Sequence, residues 1–178
     1  MNEHGLAVPL RSHDAFLGLL RYALGEDLRP FMRYAKDVAG SNCLRTFCLM
    51  SIVPAQNGLP PLVPDLALAH LSGYLELAAS EGLYVDVTAG DAQILLQQVP
   101  AQRMFFRNVG EVMLEHPNAA LLTPNEPWKN GLDPYMSLTA VPSGVLRARG
   151  ASQAENAPYE PPLDCYNQHG SRVYGDDG

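Results

Sequence analysis

The sequence predicts a mostly α fold: a compact bundle of five or six short helices over residues 1–117, then an extended Pro/Gly-rich C-terminal arm over residues 118–178 with room for one short strand pair. Two observations predict it. Apolar residues recur at helical spacing from Ser12 to His116, in segments separated by Gly and Pro. Beyond Asn118, Pro124, Pro127, Pro134, Pro142, Pro158, Pro161 and Pro162 are dense enough to interrupt regular helices and central strands.

Each element has its own signal. Ser12 reads as an N-cap ahead of Phe16, Leu19, Leu20 and Ala23, with Gly25 as the stop. Asp27 caps a second helix that tolerates Pro30 in its first turn and aligns Phe31, Tyr34, Ala35 and Val38 before Gly40. Cys43 to Val53 is apolar nearly all round except for Arg45 and Thr46, and reads as the most buried helix. Pro54 to Pro64 carries five prolines or glycines and reads as an extended crossover.

From Asp65 the stripe Leu68, Leu71, Leu75 and Ala78 makes a fourth helix that ends near Gly82. Leu83 to Val87 alternates like a strand but has no evident partner, and so reads as an extended connection. Thr88 and Asp91 resemble a capping box before Ile94, Leu95 and Val99, which gives a fifth helix ending before Pro100. Ala101 to Glu115 forms the last, with Met104, Phe105, Val109, Val112 and Met113 on one face and Pro117 as its stop. In the arm, only Tyr135 to Val141 alternates like a short strand, and no internal repeat is visible.

Composition narrows the function. The chain has 178 residues, a net charge of −7 and a pI near 5.1, a poor balance for a protein whose main task is neutralising phosphates. No Lys or Arg occurs between Ser51 and Pro100, while Asp65, Glu76, Glu81, Asp86 and Asp91 are spaced through that stretch as solvated helix faces would be. No run approaches the roughly eighteen apolar residues of a spanning helix, and the N-terminus lacks the pattern of a secretory signal. The expected location is the cytoplasm, or a virus particle assembled there.

Candidate chemistry is sparse. Glu111, Glu115 and His116 lie close together at one helix end and offer metal-ligand types, but no second cluster completes a ligand set, so no metal and no cofactor is expected. His70 falls beside the apolar stripe of its helix without an orienting carboxylate and reads as a core histidine. The spacing of Cys43 and Cys48 fits neither a redox pair nor a zinc knuckle, and Cys165 stands beside Tyr166 and His169 in the arm. Arg21, Arg29, Arg33, Arg103 and Arg107 could converge on nucleic acid through a concealed helix-turn-helix, against the acidic balance. The phosphate-loop, dinucleotide, zinc-protease and Ser-elbow motifs are absent.

The arm supplies the favoured reading. Trp128, Tyr135, Tyr159, Tyr166 and Tyr174 recur between its prolines, and aromatic anchors on an extended chain suit pockets on a partner surface. The expectation is a non-catalytic structural or assembly component, such as part of a virus particle, oligomeric or in a hetero-complex, with protein subunits as partners and no membrane or nucleic acid. The alternatives are a small cytoplasmic regulator or adaptor that binds a protein or DNA through a helical domain, and a metal-dependent hydrolase using Glu111, Glu115 and His116.

Overall fold

Cys43–Leu49 decides the architecture. In the computed structural model, which describes residues 10–89, 95–122, 139–151 and 165–168, these seven residues form a strand buried along its whole length. The segment expected to be the central helix is therefore a strand, β2. A continuous apolar run has no period that separates a buried helix from a strand covered on both faces, and parallel sheets are built from such runs.

Around β2 the described residues form a six-stranded sheet in the order β1 (Ser12–Asp14), β2, β3 (Tyr84–Ala89), β4 (Ala119–Leu122), β5 (Leu146–Ala151) and β6 (Cys165–Gln168). Every neighbouring pair is parallel. This is an α/β protein, which corrects the expected helical bundle. The stretch read as a connection, Leu83 to Val87, is largely β3, whose missing partners are β2 on one side and β4 on the other. Sheet structure also continues past Asn118, where only an arm with one short strand pair was expected.

Among the described residues five α-helices accompany the strands: α1 (Gly18–Ala23), α2 (Arg29–Arg33), α3 (Ile52–Gln56), α4 (Pro64–Ser80) and α5 (Val99–Met113), with a π-helical turn at Tyr34–Val38 after α2. The expected fourth helix matches α4, closed by Gly82 at φ +72°. Gly25 and Gly40, both at positive φ, end their segments as the sequence indicates.

Other boundaries move. Ser12 lies in β1, so it caps nothing; its hydroxyl donates to Asp86. Thr88 belongs to β3, and Pro100 sits in the first turn of α5, where its missing N–H costs no helical bond, so a residue read as a stop is a start. Within α2 and its π-turn, Met32 and Ala35 are buried while Tyr34 and Val38 are exposed, so the buried stripe is not the one expected. Part of the expected strand Tyr135 to Val141 lies outside the described residues, and its described portion, from Thr139, is not strand.

The strands neighbour one another in chain order with no reversal, so the sheet is singly wound. Helices α1, α4 and α5 form one layer: α1 and α4 touch β2, α4 touches β3, α5 touches β4, and α4 packs on both α1 and α5. Between layer and sheet lies the core, with Leu19, Leu44, Leu71, Tyr74, Val87 and Phe106 fully covered. A singly wound parallel sheet with helices on one face is the arrangement of β/α barrels.

Close approach of α1 to α4 depends on glycine. A β-carbon at Gly18 would lie 2.6 Å from the hydroxyl of Tyr74, a side chain with no exposed surface. Gly18→Ala is expected to destabilise the fold by roughly 1–3 kcal/mol, read by urea denaturation. An unchanged midpoint would contradict this packing.

Candidate functional site

Strand alternation gives the sheet two chemically different faces. On β2, Thr46 points toward the helices, where its hydroxyl accepts the N–H of Leu19 at 3.2 Å. Cys43, Arg45 and Phe47 alternate to the opposite face. Pairing aligns Ser12, Cys43 and Tyr84 in one row and Asp14, Arg45, Asp86 and Ala120 in the next. Helices cover one face and polar groups occupy the other.

Three of these groups are buried, Arg45 being 5% exposed, Asp86 4% and Cys43 0%, while Ser12 and Asp14 at the edge strand are exposed. The Ser12 hydroxyl donates to Asp86 Oδ2 at 3.0 Å. The Arg45 guanidinium lies 5.7 Å from the ring centre of Phe16 and 5.8 Å from that of Phe47, and the two rings stack at 4.7 Å. Phe16 follows Asp14, and Phe47 follows Arg45, by two residues, so the guanidinium reaches along the strands toward their C-terminal ends.

Burial sets the protonation chemistry. It lowers the pKa of Arg45, opposed by the charges of Asp14 and Asp86. It raises that of Asp86, opposed by hydrogen bonds from Ser12 and Cys43 and by the charge of Arg45. The thiols of Cys43 and Cys48 are both pushed up to about 12, chiefly by burial, so both are poor nucleophiles near neutrality.

The raised Asp86 pKa carries a signed prediction. Between the ordinary carboxylate value and the raised one, the folded chain holds more protons than the unfolded chain, so this group adds stability as pH falls through that window. Asp86→Asn lacks the contribution. Its melting temperature minus that of the unsubstituted protein is therefore expected to decrease as pH is lowered from neutrality into the acid range. A difference that stays constant or rises would refute the assignment.

In a parallel sheet all C-terminal strand ends lie together, and β/α barrels build their active sites there. A cleft of about 270 Å³ at this end is lined by Asp14, Phe16, Leu17, Arg21, Phe31 and Val53. A larger groove of about 640 Å³ runs between α1 and α4, past Tyr22, His70, Gly73 and Glu76. It lies on the outer helical surface, away from the buried polar face. Position beside that face, not volume, favours the smaller cleft.

The candidates chosen from sequence are dispersed. Trp128, Tyr135, Tyr159 and Tyr174 lie outside the described residues; Tyr166 is in β6, in register with Arg149 of β5. Glu111 pairs with Arg107 at 3.0 Å, and Glu115 is exposed. His116 Nε2 and Ser72 Oγ hydrogen-bond at 3.0 Å ahead of β4, at the opposite end of the sheet from the strand ends. Among the described residues no group of three metal-ligating side chains occurs. His70 meets the edge of the Tyr22 ring on the outer surface.

The arginines do not converge: Arg21 pairs with Glu26, Arg29 with Asp27, Arg33 with Glu81 and Arg107 with Glu111. Strand β3 separates α4 from α5, so those helices form no helix-turn-helix. Among the described residues no helix is long and apolar enough to cross a membrane.

Sequence reasoning missed Arg45, Asp86 and Ser12. The available signal was a charge inside each of two apolar runs, Cys43–Leu49 and Tyr84–Ala89. Reading the first run as a helix and the second as a connection hid the fact that the two charges are neighbours.

No family model matches the chain and no curated protein matches it. Its fold does match solved structures. A glycoside hydrolase family 5 protein from Bacteroides vulgatus aligns at TM-score 0.59 and 13% identity, over 83% of this chain and 36% of that one. A second structure, described as a glycoside hydrolase, aligns at TM-score 0.62 and 13% identity, over 83% and 38%. The catalytic domain of the Thermobifida fusca endoglucanase Cel5A, bound to cellotetraose, aligns at TM-score 0.52 and 15% identity, over 84% and 50%. The chain thus spans between about a third and a half of the length of these structures.

At such identities the likeness shows the fold alone. The expected non-catalytic virion component took residues 118–178 as an extended arm, and the expected adaptor took the rest as a helical domain; a parallel sheet that continues through β5 and β6, in a fold shared with solved glycoside hydrolases, corrects both.

Proposed function

We propose that this chain carries part of the active-site end of a β/α enzyme that cleaves glycosidic bonds. One observation carries the reading: Arg45, buried between Asp14 and Asp86 on the helix-free face, reaches toward the strand ends of a sheet whose solved counterparts are glycoside hydrolases. A buried guanidinium flanked by carboxylates suits a substrate rich in hydroxyl groups, because it supplies fixed donors where water is excluded.

Glycoside cleavage generally needs a carboxylic acid to protonate the leaving oxygen and a second carboxylate as nucleophile or base. The carboxylates that end a strand or follow one within about four residues are Asp14 at β1, Asp91 after β3, Glu126 after β4 and Glu155 after β5. Glu126 is our choice for the acid. Its neighbour Asn125 brings an amide able to orient a carboxyl or a sugar hydroxyl, and Trp128 brings an aromatic face suited to the apolar side of a pyranose. Trp128, first read as a partner anchor, thereby gains a different ligand.

Release of reducing ends from cello-oligosaccharides, mannans and aryl β-glycosides by the purified chain tests the reading. Turnover of any of them supports it; no turnover by protein shown to be folded removes it.

A further inference from the structure

We propose that the cleft at the end of β1 binds a planar apolar group, such as the aryl aglycone of a glycoside, and is no subsite for a further sugar ring. That the group is carried on a sugar rests on the glycoside-cleaving reading above; that the cleft takes an apolar ring stands on the cleft itself.

Its walls come from three segments. Phe16 and Leu17 follow β1, Leu28 and Phe31 lie at the start of α2, and Val53 belongs to α3, after β2. Leu28 is buried, while Phe16, Leu17, Phe31 and Val53 are half-buried and packed on the core. The core thus fixes their positions, and each of the four keeps apolar surface in reach of water. Such surface costs roughly 25 cal/mol for each Å² left in water, and an apolar ligand relieves that cost.

Polar partners are few. Among the described residues that line the cleft, Asp14 and Arg21 alone carry charged side chains, and Arg21 is already paired with Glu26 at 3.0 Å. A pyranose presents hydroxyl groups around its whole rim, and each one buried without a partner costs roughly 1–3 kcal/mol. Asp14 serves one or two of them, and the apolar side chains beside it offer the rest nothing. An aryl ring has no such need, and its faces and edges suit the Phe16 and Phe31 rings. Size agrees. An apolar cavity on the order of 150 Å³ holds one benzene ring, so a cleft of about 270 Å³ holds a substituted or fused aryl group.

The cleft also meets the buried polar face. Phe16 lines the cleft, stacks on Phe47 at 4.7 Å and lies 5.7 Å from the Arg45 guanidinium. A glycoside lying across that ring places its hydroxyl groups beside Arg45 and its apolar end in the cleft.

Two measurements on the full chain decide the matter. In the first, free 4-methylumbelliferone is titrated into the protein and followed by calorimetry and backbone amide NMR. One equivalent is expected to bind and to shift the resonances of Leu17, Leu28, Phe31 and Val53. Phe31→Ala, which removes one wall, is expected to raise Kd by roughly 10-fold or more. Val53→Trp, which fills the cleft from a half-buried position, is expected to abolish binding, with thermal melting used to confirm that each variant is folded. No binding to the unsubstituted protein, or unchanged binding to folded Val53→Trp, would overturn the proposal. So would displacement of the probe by cellobiose with shifts at the same four residues, because the cleft would then hold a sugar.

The second measurement compares KM for a 4-methylumbelliferyl glycoside with KM for the matching oligosaccharide, in the unsubstituted protein and in Phe31→Ala. The aryl substrate is expected to show several times the larger rise; an equal rise for both would overturn the assignment. If the unsubstituted protein cleaves no glycoside, the functional reading fails and the probe titration still decides what the cleft takes.

Discussion

Glu126→Gln is expected to cut glycoside cleavage by roughly 10²–10⁴-fold while leaving the folded protein intact. The amide keeps the size and hydrogen-bonding reach of the carboxyl but has no proton to give, so it removes acid catalysis and little else. Chain position limits the structural cost: Glu126 follows β4, whose four residues Ala119–Leu122 are all buried, and is not part of that strand. Circular dichroism and thermal melting should therefore match those of the unsubstituted protein. Two controls sharpen the result. An aryl glycoside with a good leaving group needs less protonation and should be affected least, and Glu155→Gln should lose much less. Equal losses in both variants, or full activity in Glu126→Gln, would refute the assignment.

Val85→Pro is expected to unfold the chain or destabilise it by roughly 3 kcal/mol or more, because proline removes a ladder hydrogen bond in a strand paired on both sides. Here the lost bond is specific: the Val85 N–H donates to Asn118 O at 2.8 Å, and Val85 itself is fully covered in the core. Asn118 in turn donates from its side-chain amide to Leu75 O and Leu83 O, tying the end of α4 to the start of β4. Disturbing Val85 therefore loosens more than one strand. Substitution at an extended connection, as this stretch reads in the sequence, would be nearly silent. Urea denaturation followed by circular dichroism separates the two, and a midpoint within experimental error of the unsubstituted protein would contradict the central position of β3.

Helices with a one-sided apolar stripe were legible. Helix α4 and the bulk of α5 follow from spacing and from their flanking glycines and prolines, because both signals are local to the chain. The buried strands were not. Cys43–Leu49 is covered on both faces and so shows no alternation, while Tyr84–Ala89 shows alternation but no local sign of its neighbours. With the longest strand taken for a helix, a β/α chain becomes a row of helices. The site went unseen for the same reason. Arg45 and Asp86 stand far apart in the sequence, each the odd charge in an apolar run, and nothing within either run pairs it with the other.

By itself the sequence determined what is decided over a few residues: where α4 starts and stops, and that Gly25, Gly40 and Gly82 end their segments. Tertiary structure alone decided that Cys43–Leu49 is a strand, that six strands lie parallel in chain order, and that Ser12, Arg45 and Asp86 share one face on which Arg45 and Asp86 are buried. The physical reason is range. Caps and helical stripes act within one or two turns, whereas a parallel strand takes its hydrogen bonds and its burial from segments that only the folded chain brings alongside.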